Sequence, residues 1–186
     1  MSHRFWSSVF LMLGLSGMPA FGQFFSVGVE GGVPLNDVYV NSGSGDLTAN
    51  TNRFIVGPKV ELGLPFHLGV EFDALYRHYS FSGSGVSEWD FPLLLKYHFR
   101  GVPLVHPFVD AGPIFNHVSN ITGVTPNQST AGVSIGAGID FHALLVHVEP
   151  EFRYVRWGSQ NFNYSSVGSG LGSNQNQAEF LVGLTF

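Results

Sequence analysis

The sequence contains no cysteine, which excludes a disulfide framework, a thiol nucleophile, a cysteine-linked lipid anchor and a thiolate zinc site. Charge is scarce too. Only 11% of the 186 residues are Asp, Glu, Lys or Arg, whereas a soluble domain carries about 25%, so an ordinary water-facing surface could not be clothed. Lys and Arg number 8 against 13 acids, a formal charge of −5. With no basic patch to neutralise phosphates, nucleic acid is excluded as a partner. No uninterrupted apolar run reaches the roughly 18 residues that a membrane-spanning helix needs. What is abundant is apolar: 44% hydrophobic and 15% aromatic residues, with 18 Phe and 24 Gly. That content excludes disorder.

The first 22 residues differ from the rest. His3 and Arg4 precede the mostly apolar stretch from Phe5 to Met18, and Pro19-Ala20-Phe21-Gly22 closes it. Ala20 and Gly22 have the small-x-small spacing read by signal peptidase, so residues 1–22 are expected to be a cleaved export signal. Residues 23–186 would then form one mature domain.

That domain alternates with period two in eight segments, the mark of strands with two unlike faces. Trp89, Phe91, Leu93, Leu95, Tyr97 and Phe99 give the clearest apolar stripe; Val146, Val148, Pro150, Phe152 and Tyr154 give another. The opposite parity carries the charge: Glu30, Lys59, Glu61, Glu71, Asp73, Arg77, Glu88, Asp90, Lys96, Asp110, Asp140, His147, Glu149, Glu151, Arg153 and Glu179. It also holds Gly57, Gly69, Gly112, Gly132, Gly136, Gly138 and Gly183. A soluble sandwich or carrier barrel would turn the apolar face inward, a membrane barrel outward.

Three features favour the membrane barrel. The polar face is too rich in glycine for a solvent surface and suits a narrow lumen. Aromatics collect at the ends of the stripes, with Phe66, Phe99, Phe141 and Phe186 at one end and Tyr76, Trp89, Phe115, Tyr154 and Trp157 at the other, as interfacial girdles require. Connections alternate between short (63–67, 100–106, 142–144) and long (34–53, 117–130, 158–176), with 80–87 the shortest of the outer set. The fold class is therefore all-β: an eight-stranded antiparallel up-and-down transmembrane β-barrel. Pro58, Pro92, Pro113 and Pro150 fall inside the strands and are expected to mark bulges or strand ends.

The stretches Trp89 to Tyr97, Pro107 to Pro113, Gly132 to Phe141, Arg153 to Trp157 and Glu179 to Phe186, in this order, resemble the OmpA/OmpX-like family of small outer-membrane β-barrels of Gram-negative bacteria. The resemblance covers essentially all of residues 23–186. It implies an outer-membrane location, termini on the periplasmic side, and outer-membrane lipids, lipopolysaccharide and the barrel-assembly machinery as partners. It also implies that Phe180, Val182, Leu184 and Phe186 form the assembly signal, although Leu181 stands where the family often has glycine. The peptidoglycan-binding domain that follows the barrel in OmpA-type proteins has no counterpart up to Phe186, so that activity is not expected.

The resemblance leaves the function open. The lumen residues are either a packed polar plug, which eight strands favour, or a path for small cations drawn by the surplus of acids. His117-Val118-Ser119-Asn120 resembles the His-x-Ser-Asn motif of outer-membrane lipid A deacylases, but it lies on the fifth strand rather than the penultimate one and has no nearby acid. His67, His78, His98, His106 and His142 are scattered and read as interfacial packing; no metal ligand and no cofactor is expected. The loop 158–176, with Phe162 and Tyr164 among Ser, Asn and Gly, suits an extracellular ligand or plain solvation equally. The reading carried forward is a non-enzymatic barrel with a structural or surface-recognition role, with a narrow channel as the alternative and a lipid A-modifying hydrolase after it.

Overall fold

The structure, a computed structural model, describes residues 25–36, 39–41, 50–81, 84–101, 104–119, 128–143, 146–161 and 171–186. The expected export signal lies outside the described residues. Eleven strands follow in order: β1 (Phe25–Pro34), β2 (Tyr39–Asn41), β3 (Asn50–Leu64), β4 (Leu68–Asp73), β5 (Leu75–Phe81), β6 (Ser84–His98), β7 (Val105–Ser119), β8 (Ser129–Ala143), β9 (Val146–Trp157), β10 (Leu171–Ser173) and β11 (Asn176–Thr185). Setting aside β2 and β10, antiparallel pairing runs round the sheet and returns to its start, because β1 pairs with both β3 and β11. β4 and β5 are two lengths of one stave, both laid against β3 on one side and β6 on the other. Eight staves therefore close into the barrel, which leaves no open sheet edge.

The two parities separate as the alternation requires. On the outer face Val133, Ile135 and Phe152 are 62%, 58% and 63% exposed, while Glu30, Glu71 and Lys96 on the inner face are 0% exposed. Exposed apolar side chains on strand after strand, where a soluble monomer exposes only small patches, make this a surface suited to hydrocarbon. Its rims are aromatic. Phe25, Phe66, Phe99, Phe141 and Phe186 are exposed at the short-turn end, and Trp89, Phe115 and Tyr154 at the long-loop end. Trp157 is not in that girdle. It follows Arg153 and Val155 at period two, so it points inward and is 2% exposed.

The in-strand prolines produce no bulge, and only opposite Pro58 does a strand end, where β4 gives way to β5. Ala74, the residue dividing β4 from β5, lies opposite Pro58 and donates its N–H to the Pro58 carbonyl at 3.1 Å, but proline has no N–H to return. Pairing between β6 and β7 lapses beside Pro113 and resumes at Leu95–Ala111 in unchanged register; between β8 and β9 it lapses beside Pro150 and resumes likewise. Each strand residue turns its N–H and C=O toward one neighbour only, so a proline weakens one ladder and leaves the other intact. Pro113 still pairs with Val133, and Pro150 with Val182.

The strands also outrun the predicted segments. β3, β6, β7 and β8 have 15 residues each, where a bilayer needs about 9–11, so the wall continues past the aromatic rim into the region read as loop. Above it, β2 and β10 pair through Leu171–Asn41, Gly172–Val40 and Ser173–Tyr39. That short ribbon joins two long loops, and no alternation in either segment marks it.

Candidate functional site: the lumen and its mouths

Charged groups on the inner parity converge because eight strands leave an interior only about as wide as the side chains that fill it. Nearest the long loops, Arg77 donates to Glu179 and pairs with Asp90, both at 2.5 Å, and donates to Gln177 at 3.0 Å. Glu88 accepts from Asn116 at 2.7 Å. Midway, Arg153 reaches Glu151 at 2.7 Å, Glu71 at 3.0 Å, Asp73 at 3.2 Å and Glu30 at 3.5 Å. Toward the short turns, Lys59 pairs with Glu71 at 2.9 Å and Glu149 at 3.0 Å. Lys96 pairs with Glu149 at 2.9 Å, Glu61 at 3.2 Å and also Glu71, and stands 4.3 Å from the centre of the Phe108 ring. Glu71 touches three cations and knits two levels together.

Apolar side chains fill the gaps between these levels. Ile55, Leu75 and Leu181 form one buried cluster, and Ile114, Val155 and Trp157 another. Leu181, the departure from the family's glycine, fills interior volume. Gly136 does the reverse. A Cβ there would stand 2.5 Å from Glu151 Oε1 and 2.6 Å from Asp110 Oδ1, so a larger residue would have to push the two carboxylates aside.

Among the described residues eleven buried acids face four buried bases, and the surplus shows. Asp110 is 2% exposed, and neither of its oxygens has a hydrogen-bond partner. Asp140 and His147 are set apart from the central network. They lie at the short-turn mouth, where Asp140 Oδ2 is 2.7 Å from His142 Nε2 and Asp140 Oδ1 is 3.4 Å from His147 Nδ1. The His147 side chain is 37% exposed, so it belongs to the mouth. His106 and His142 join it there, with ring centres 4.8 Å apart, and the His142 and His147 rings are 4.0 Å apart. Spacing along the chain hides this grouping. Strand register reveals it: His106 faces Asp140, and His142 faces His147.

His117 and Ser119 are not brought together. His117 Nδ1 lies 3.1 Å from Ser129 Oγ, and Ser119 donates to the Ser87 carbonyl at 3.3 Å. Glu179 is inside the lumen on Arg77. At the closing strand, Phe186 and Val27 exchange backbone hydrogen bonds, and the side chains of Phe180, Val182, Leu184 and Phe186 alternate on the outer face. Phe162 and Tyr164 lie outside the described residues.

A closed eight-stave barrel with a hydrocarbon exterior and an ion-paired interior defines a class, the small transmembrane β-barrels. Within it the fold is that of solved outer-membrane proteins. Neisserial surface protein A aligns with a TM-score of 0.61 at 15% identity, over 88% of this chain and 96% of that one. OprG from Pseudomonas aeruginosa aligns at 0.58 and 14%, over 87% and 93%. AlkL, determined by solid-state NMR in lipid bilayers, aligns at 0.52 and 15%, over 88% and 90%. No protein-family model and no curated protein matches the sequence.

Proposed function

We propose that this chain is an integral outer-membrane protein with a sealed lumen, non-enzymatic, acting structurally or by recognition through its long-loop end. The apolar belt with its aromatic rims supports a membrane location. Two proteins sharing the fold carry the words surface protein and outer membrane protein in their names, which supports the outer membrane in particular. Outer-membrane lipids and lipopolysaccharide then contact the belt, the barrel-assembly machinery reads Phe186, and an extracellular ligand meets the loops.

The observation that carries the sealed lumen is the position of the cations. Lys59, Lys96 and Arg153 have fully buried side chains, each held by at least three carboxylates. With the two apolar clusters between them, these groups support a lumen closed to ions. The surplus of acids favours the competing reading, a narrow cation path. Planar-bilayer recording separates the two: the purified barrel is expected to give no unitary conductance steps, and cation-selective steps would overturn the sealed-lumen reading.

A further inference from the structure

We propose that the short-turn mouth is a binding site for a divalent transition-metal cation of the zinc class, with His106, Asp140, His142 and His147 as its ligands. Three neighbouring staves supply them at one level. β7 brings His106, β8 brings Asp140 and His142 two residues apart on one face, and β9 brings His147. The register seats His106 across from Asp140 and His142 across from His147, so the four side chains form the corners of a small grid. Donor atoms of His106, Asp140 and His142 lie within 4.8 Å of one another, as do those of Asp140, His147 and Glu149.

The spacing around Asp140 is close to what coordination needs. Zinc holds nitrogen and oxygen at about 2.0–2.2 Å, which sets tetrahedral donor pairs roughly 3.4 Å apart. Asp140 stands 2.7 Å from His142 and 3.4 Å from His147, and it is the member common to both groups of donors, so closing the shell requires the His106 and His147 rings to turn toward it.

Unpaired polar atoms give the independent argument. Asp140 is buried, with its side chain only 7% exposed, and its Oδ1 accepts no hydrogen bond; the buried His106 Nδ1 also has no partner. Buried polar atoms are normally satisfied, and a cation between Asp140 and the imidazoles supplies Oδ1 with a closer partner than the His147 ring at 3.4 Å. The class of metal follows from the donors: imidazole with carboxylate selects zinc, nickel, cobalt or copper, not the all-oxygen shells of calcium and magnesium. Access is open. A cavity of about 310 Å³ reaches the cluster, lined also by Glu61, His98 and Glu149, and His142 is 38% exposed.

The test uses untagged barrel, refolded in detergent, stripped with a chelator and titrated with Co²⁺, whose visible absorption reports nitrogen and oxygen coordination, then with Zn²⁺ as competitor. One saturable Co²⁺ per chain, displaced by Zn²⁺, is expected. Asp140→Asn and the double variant His142→Ala/His147→Ala should each weaken binding by about tenfold or more, while His78→Ala, at the other end of the barrel, should leave it unchanged. Folding of each variant is checked by its heat-modifiable gel mobility. Should a variant fail to fold, Zn²⁺ protection of wild-type His106, His142 and His147 from diethyl pyrocarbonate replaces it. No saturable binding, binding indifferent to these variants, or absence of protection overturns the site.

Discussion

At the residue scale the governing fact is that apolar and charged side chains exchange their usual places. Ile135 projects from the middle of the belt, so Ile135→Arg would carry a charge into hydrocarbon at a cost of about 2–4 kcal/mol. Folding into lipid vesicles, followed by gel mobility, is expected to fall sharply for this variant. Inside, the imbalance of acids over bases makes the two signs unequal. Arg153 answers four carboxylates, and Arg153→Met should lower the urea midpoint in vesicles by the equivalent of about 3–5 kcal/mol, since it strands buried charges. Asp110→Asn removes an acid that has no partner, and it should change stability by less than about 0.5 kcal/mol or raise it. Equal losses for both variants would contradict the network described. Most of this was legible beforehand, because period two assigns every charged residue to a face whether or not its partners are known. Pairing was not legible: Arg77 meets Glu179 across about a hundred residues, a relation that depends on closure. Trp157 was misplaced by attending to its aromaticity; its parity with Arg153 gave the right answer.

At the scale of the element, the strands follow from alternation, but their ends do not. Alternation marks only the part of a strand that meets two different media. Where β7 and β8 rise clear of the belt the outward positions, His117 and Ser129, are polar, and the pattern fades while hydrogen bonding continues. The same reasoning explains why β2 and β10 were invisible: three-residue strands show no period, and they are defined by pairing alone. The prolines illustrate the converse. Their local rule held, in that each lacks a donor, yet the register around them did not shift, because two flanking ladders hold each strand in place. Pro58→Val should therefore restore a bond to Ala74, join β4 to β5 and raise stability by about 0.5–1.5 kcal/mol. Slower amide hydrogen exchange around Ala74 would report it; unchanged exchange would show that the gap has another cause.

For the whole molecule, the belt fixes the solvent in which the fold exists. The barrel should need detergent or lipid to stay monodisperse, and dilution below the micelle threshold should precipitate it. Phe186 hydrogen-bonds to Val27 where the sheet closes, so its deletion is expected to slow vesicle insertion more than removal of residues 162–170 from the outer loop, as read by the rate of the mobility shift. The opposite ranking would show that the Phe186–Val27 closing contact does not limit insertion. The histidine mouth belongs to this scale too. Its members come from three staves, and no single segment announces it.

The crossed ion pairs bear on how such a molecule can form at all. Lys59 and Lys96, on β3 and β6, share Glu149 on β9, while Arg77 on β5 is held by Glu179 on β11. An incomplete barrel would leave these amines and guanidinium groups facing acyl chains with only the counterions of nearby staves, Glu71, Glu61 and Asp90, and without Glu149 and Glu179. Intermediates of that kind are too costly to accumulate within a bilayer. Curling of the wall and docking of its final stave must therefore occur nearly together, making insertion a single concerted event in which the inner charges travel from water to their partners without ever meeting lipid.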